Sequence, residues 1–182
     1  MAQPGKRGLR TAFVAIALTA TTLGFGVVTA GSAAASGSYT GRAFIYGAAG
    51  YLDGDWADEG VNNVSTHRHS NATCLWQTIL RADGYLAASD VDGIFGDRTH
   101  AATVRWQQAH GLYGDGSVGR DTWARAGRKV TDQGPDGDYR WGGYFGIERS
   151  FPVMRNRDGG KYGFYDPDGV FRWASYDTRT CG

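Results

Sequence analysis

The sequence predicts an α+β protein, with a three-helix module flanked by short β segments and a small antiparallel β meander at the C-terminal end. Three observations predict it. Apolar residues recur at helical spacing between Trp76 and Ala126. The motif D-G-x-x-G-x-x-T occurs twice, at Asp92–Thr99 and at Asp115–Thr122, each time leading into a helical pattern. Beyond Tyr139, aromatic and β-branched residues crowd into short runs separated by Asp-Gly turns.

Residues 1–35 read as an export signal. Lys6, Arg7 and Arg10 form a basic start, Thr11 to Val28 carries no charge, and Ala33-Ala34-Ala35 before Ser36 fits an A-x-A cleavage site. Val28-Thr29-Ala30 before Gly31 is a second possible site. A membrane anchor is the alternative, but it needs ~20 apolar residues and this run is broken by threonines and glycines. The expected product is secreted and extracellular. Without Lys6, Arg7 and Arg10, 16 of the 19 Lys and Arg remain against 18 Asp and Glu. A slight acidic excess argues against nucleic acid and against anionic lipid as partners. A monomer is expected.

Residues 36–70 are rich in Gly, Asp and Asn and predict loop, with one short strand at Arg42 to Tyr46. The helical module spans 71–128. Trp76, Ile79 and Leu80 mark the inner face of the first helix, and Gly84 is placed to end it in a left-handed turn. The second helix is expected at Asp97 to Ala109, with Ala102, Trp106 and Ala109 inward and Gly111 closing it. The third is expected at Arg120 to Ala126. In both motif copies Asp-Gly supplies a tight turn, the second Gly admits the chain to the helix, and the Thr hydroxyl can bond locally to backbone. Asp132 to Asp138 reads as a polar linker. The C-terminal β segment, 139–182, should hold strands at Tyr144–Ile147, Pro152–Arg155, Lys161–Tyr165 and Val170–Ser175.

The stretches TCLWQTILRADGY, VDGIFGDRTHAATVRWQQAHGL and GDGSVGRDTWARA occur in order between Thr73 and Ala126. Together they resemble the peptidoglycan-binding domain family, a three-helix cell-wall-binding module. The resemblance covers about 54 of 182 residues. It implies non-covalent binding of wall glycopeptide, often beside a wall hydrolase. The chain departs from the family at Trp76 and Trp106, where members often carry Leu and Phe, and at Asp83 and Thr103, where apolar residues are common. The larger residues require a locally rearranged core.

Cys74 lies ~200° around a helix from Trp76, on a polar face with Gln77, Thr78 and Arg81. Export to an oxidising compartment and the absence of other cysteines predict a Cys74–Cys181 disulfide. His67 and His69, near Asp58 and Glu59, form a weak candidate metal site, with no defined third ligand. No metal and no cofactor are expected. Glu59 and Glu148 are the only glutamates, and neither sits in a recognisable acid–base pair. The aromatics between Tyr139 and Tyr176 fit either a sugar-stacking platform or the core of a small sheet, and the core reading is preferred. The function expected is a secreted, non-catalytic protein that binds peptidoglycan through its glycan strand or stem peptide. Tyr85, Arg98, Gln107 and Tyr113 are the candidate contacts, as exposed residues near turns and helix ends. The alternatives are a wall hydrolase with its site in the flanking segments, and a secreted inhibitor or toxin acting through the β segment.

Overall fold

The first helix, α1 (Asn71–Ala82), is buried on every side, with only Arg81 partly exposed. This comes from a computed structural model that describes residues 41–48 and 50–182. The export signal and its cleavage sites lie outside the described residues. The expected polar face of α1 therefore does not face solvent: Cys74, Gln77 and Thr78 are all covered. The chain after the helices folds back over them. Thr78 turns its hydroxyl onto the Cys74 carbonyl, and Gln77 bonds the loop ahead of the next helix.

The first-turn N–H groups of a helix have no partner within it. Here the C-terminal tail supplies partners. Asn71 N–H donates to Thr178 O at 2.7 Å and Ala72 N–H to Ser175 O at 2.8 Å, while Thr73 N–H reaches the N-cap Ser70 Oγ at 3.0 Å. A buried disulfide joins Cys74 to Cys181 across 107 residues and fixes that tail in place. At the other end Gly84 (φ 83°) takes the left-handed conformation, and Gly84 and Tyr85 N–H return to Arg81 and Leu80 carbonyls.

The second helix, α2 (Asp97–Ala109), has the expected bounds and ends in the same way at Gly111 (φ 72°). Its buried residues are Thr99, Ala102, Thr103, Trp106 and Gln107. Ala109 is exposed, contrary to the expected inward face, because three polar side chains with internal partners widen the buried stripe in another direction. The third helix, α3, runs Arg120–Gly127.

A five-stranded antiparallel sheet follows in the order β1 (Val130–Asp136), β2 (Tyr139–Phe145), β3 (Ser150–Asn156), β4 (Tyr162–Tyr165) and β5 (Phe171–Trp173). The segment read as a linker is β1. Its Gly134 and Pro135 suit an edge strand, where Pro need not donate to a ladder, and the register shifts between Asp132 and Gly134 as at a bulge. β2 begins five residues ahead of the expected strand because it pairs with β1 from Tyr139 to Tyr144. The strand expected at Arg42–Tyr46 reduces to two isolated bridges, Phe44 to Ser175 and Tyr46 to Lys161.

The core joins both parts. Trp106, Trp76, Trp123, Trp56 and Tyr162 form an edge-to-face chain, with successive ring centroids 5.1, 5.6, 5.9 and 5.5 Å apart. It runs from α2 through α1 and α3 to the N-terminal loop and β4. Aromatic pairs in this geometry add ~0.5–1.5 kcal/mol each beyond area burial. The loop is fastened by Glu59, 4 % exposed, whose carboxyl accepts from Tyr46 N–H and the Tyr176 hydroxyl, both at 2.8 Å.

Burial raises the Glu59 carboxyl from 4.5 to about 8, against the lowering effect of those two bonds. The folded protein thus keeps a proton that the unfolded chain releases near 4.5. The stability contributed by the protonated form is complete below that pH and declines as pH rises toward about 8. Thermal melts of the wild type should fall across this window, and Glu59→Gln should flatten the slope. Parallel melting curves for the two proteins would show that Glu59 does not carry the effect.

Candidate functional site

Each of the two repeated loops is built around a buried glutamine. Gln77 of α1 points its amide nitrogen at Asp92 Oδ1, Ile94 O and Thr99 Oγ1, at 2.9 to 3.0 Å. Its amide oxygen accepts from Asp92 and Gly93 N–H at 3.0 and 2.7 Å. Gln107 of α2 repeats the pattern on Asp115 Oδ1, Ser117 O and Thr122 Oγ1, and accepts from Gly116 N–H at 2.9 Å. The motif threonines thus receive a glutamine amide, which goes beyond the expected local backbone bond. Only the second residue of each apolar position plugs the core: Phe95 and Val118 are fully buried, whereas Ile94 and Ser117 are partly exposed.

Gln107 was expected at the surface and is 2 % exposed. Both polar atoms of its amide are engaged within the loop, so it shapes the loop from inside. The other three candidates reach solvent to different extents. Arg98 stands in the first turn of α2 with its side chain 77 % exposed, held by Asp90 at 2.6 Å. Tyr85 is partly buried against the core, and its carbonyl accepts from Arg105 Nη2 at 3.2 Å. Arg98 and Arg105 are seven residues apart and so share a face. Tyr85 and Arg98 therefore border one strip, between α2 and the segment from Tyr85 to Asp90. Tyr113 is 70 % exposed but lies elsewhere. The adjoining Gly114 packs on Val104 and Gln108, a quarter to a third of a turn, roughly, around α2 from Arg98.

The aromatics of the C-terminal segment divide by face of the sheet. Tyr144, Tyr162, Phe164 and Tyr176 are buried against the helices and loop. The row Trp141, Met154, Gly163 and Trp173 crosses the outer face in register. There Tyr139, Trp141, Tyr165, Phe171 and Trp173 are partly exposed and Phe145 is 49 % exposed.

The two glutamates do not form an acid–base pair. Glu59 is enclosed in the interior, whereas Glu148 is exposed beside Arg149 at 3.4 Å. His67 bonds the Val61 carbonyl through Nδ1 and lies against the Tyr176 ring, while His69 is exposed in a bridge to Ile94. Among the described residues, no group of three or more His, Cys, Asp or Glu could hold a metal ion. No helix among them is long and apolar enough to cross a membrane.

Residues 70–125 match a family model described as "Putative peptidoglycan binding domain". These residues take in α1, both glutamine-clamped loops, α2 and most of α3. A relative from Kitasatospora aureofaciens, described as an uncharacterized protein in the bpoA1 3' region, is 33 % identical over 117 residues. The alignment covers 64 % of this chain and 88 % of that protein. No solved structure matches.

Replacing either glutamine by Ala strands several buried donors and acceptors, at ~1–3 kcal/mol each. Gln77→Ala and Gln107→Ala should each lower stability by at least about 2 kcal/mol in denaturant melts. Gln77→Ala should be the more damaging, since Gln77 lies on the buried helix and makes five bonds to its loop. A melt unchanged in either variant would show that the loops hold their shape without the clamp.

Proposed function

We propose, for a chain that belongs to the same family as this Kitasatospora aureofaciens protein and carries a peptidoglycan-binding domain at residues 70–125, that it attaches non-covalently to peptidoglycan outside the cell without cleaving it. The domain match carries the proposal, because it falls on the two clamped loops and the helices they introduce. The strip bordered by Tyr85 and Arg98 offers a ring, a guanidinium and backbone edges to a glycan or stem peptide. Tyr113 provides a second contact around α2, and Gln107 holds the loop beneath it. Secretion fits both a disulfide and a wall ligand.

The non-catalytic reading rests on the state of the carboxyls. A glycosidase needs two carboxyl groups about 5–9.5 Å apart across one bond. Glu59 has the raised pKa of a general acid, but its environment is closed and both its oxygens are engaged. Glu148 is solvated beside an arginine.

The mature protein should co-sediment with purified insoluble peptidoglycan across a range of salt, and the supernatant should gain no reducing ends or free amines. Arg98→Ala should weaken retention while leaving the melt nearly unchanged, and Tyr85→Ala should weaken retention with a lowered melt, because its ring packs against the core. Protein remaining in the supernatant at every salt would overturn attachment. Released muropeptides that disappear on changing one Glu, Asp or His would make the protein a hydrolase.

A further inference from the structure

Arg140 on β2 and Arg155 on β3 are direct cross-strand partners, and Arg157 follows two residues on, past the end of the strand. Like charges opposite one another destabilise a sheet. The fold accepts that cost by tethering two of the three. Asp132 accepts from Arg140 Nε and Nη2, the latter at 3.0 Å, and also from Leu52 and Gly134 N–H. Asp55 pairs with Arg155, whose guanidinium also donates to Gly50 O at 2.7 Å. Arg155 is almost wholly buried, with a side chain 4 % exposed. The three arginines, with Gly50 and Asp158, line a cavity of about 300 Å³.

We propose that this arginine-lined cavity is a binding site for a small oxyanion, a carboxylate or phosphate group carried on a larger molecule. The tethers fix where the guanidiniums point, and they leave donors over. Among the described residues Arg140 Nη1 has no acceptor, and the sole acceptor for Arg157 is Gly137 O at 3.1 Å. Planar forks of this kind match an oxyanion through paired, charge-assisted hydrogen bonds. Charge and size narrow the ligand. Asp55, Asp132 and Asp158 offset the three arginines, so the site exerts no long-range pull on a polyanionic surface. Selection rests on short directional bonds. The volume lies at the small end for ligand pockets and suits one anionic group with its attachment. Two sources share that chemistry in a cell wall: the free carboxylate of a peptide, and the phosphate of a wall polymer.

Side-chain NMR of the arginine Nε–H groups of the whole mature chain tests this with two probes, inorganic phosphate and N-acetyl-D-alanine. Saturable shifts confined to Arg140, Arg155 and Arg157 are expected with at least one probe, and the tighter probe identifies the source. Arg157→Gln should weaken that binding about tenfold, the share of one charge-assisted bond, with an unchanged melt. Shifts that stay linear and spread over all arginines, or an Arg157→Gln protein that binds as the wild type does, would overturn the proposal. No peptidoglycan is present, so the outcome is separate from that of wall attachment.

Discussion

The Asp83 carboxylate, at the C-terminal end of α1, is the point through which the helices and the sheet are tied. Its side chain is fully buried and accepts from four separate parts of the chain. Trp106 Nε1 of α2 and the Tyr144 hydroxyl of β2 reach Oδ2 at 2.7 Å, while Lys129 Nζ and Ile147 N–H reach Oδ1 at 2.6 and 2.9 Å. Burial pushes this carboxyl up, but the bonds from Lys129, Trp106 and Tyr144 outweigh it and hold it below the usual carboxylate range. An isolated buried charge is very costly, so the carboxylate is tolerable only with all these donors present. Each donor therefore fixes the position of the element that carries it.

That arrangement explains why the departures from the family pattern come in pairs. An acceptor for its N–H stabilises a buried indole. Trp76 finds one in Thr103, at 2.8 Å, and Trp106 finds one in Asp83. Read singly, Asp83 and Thr103 weaken an apolar seam, and the two tryptophans overfill it. Read together, each polar residue satisfies one large ring. The rings then extend through Trp123 and Trp56 to the sheet, a span that Leu and Phe would not bridge in the same way.

Helix bounds were legible because their signals are local. Asp-Gly turns, the closing glycines at 84 and 111, and the 3.6-residue period place α2 and α3 to within a residue. What failed depended on distant chain. The polar residues of α1 read as a surface because nothing nearby in sequence shows that a tail 100 residues on will cover them. The Gly- and Pro-bearing β1 reads as a linker until β2 is known to lie beside it. Of the candidate contacts, the exposure of Arg98 and Tyr113 followed from their places at a helix start and a turn. Gln107 did not, although a sequence signal existed: the repeat extends beyond its eight residues to a glutamine on the helix before each copy.

The peptidoglycan-binding domain is thus embedded: its central helix is capped by the C-terminal tail, pinned by a disulfide, and bonded through Asp83 to the sheet. The surfaces proposed to meet the wall are therefore held in place by the sheet and the tail as well as by the helices. Native-state hydrogen exchange tests this coupling most directly. The amides of α1 and those of β2 and β3 should open with one shared free energy, and Asp83→Asn should lower both by the same amount. Sheet amides that open while α1 stays protected, or an Asp83→Asn effect confined to one of the two, would contradict it.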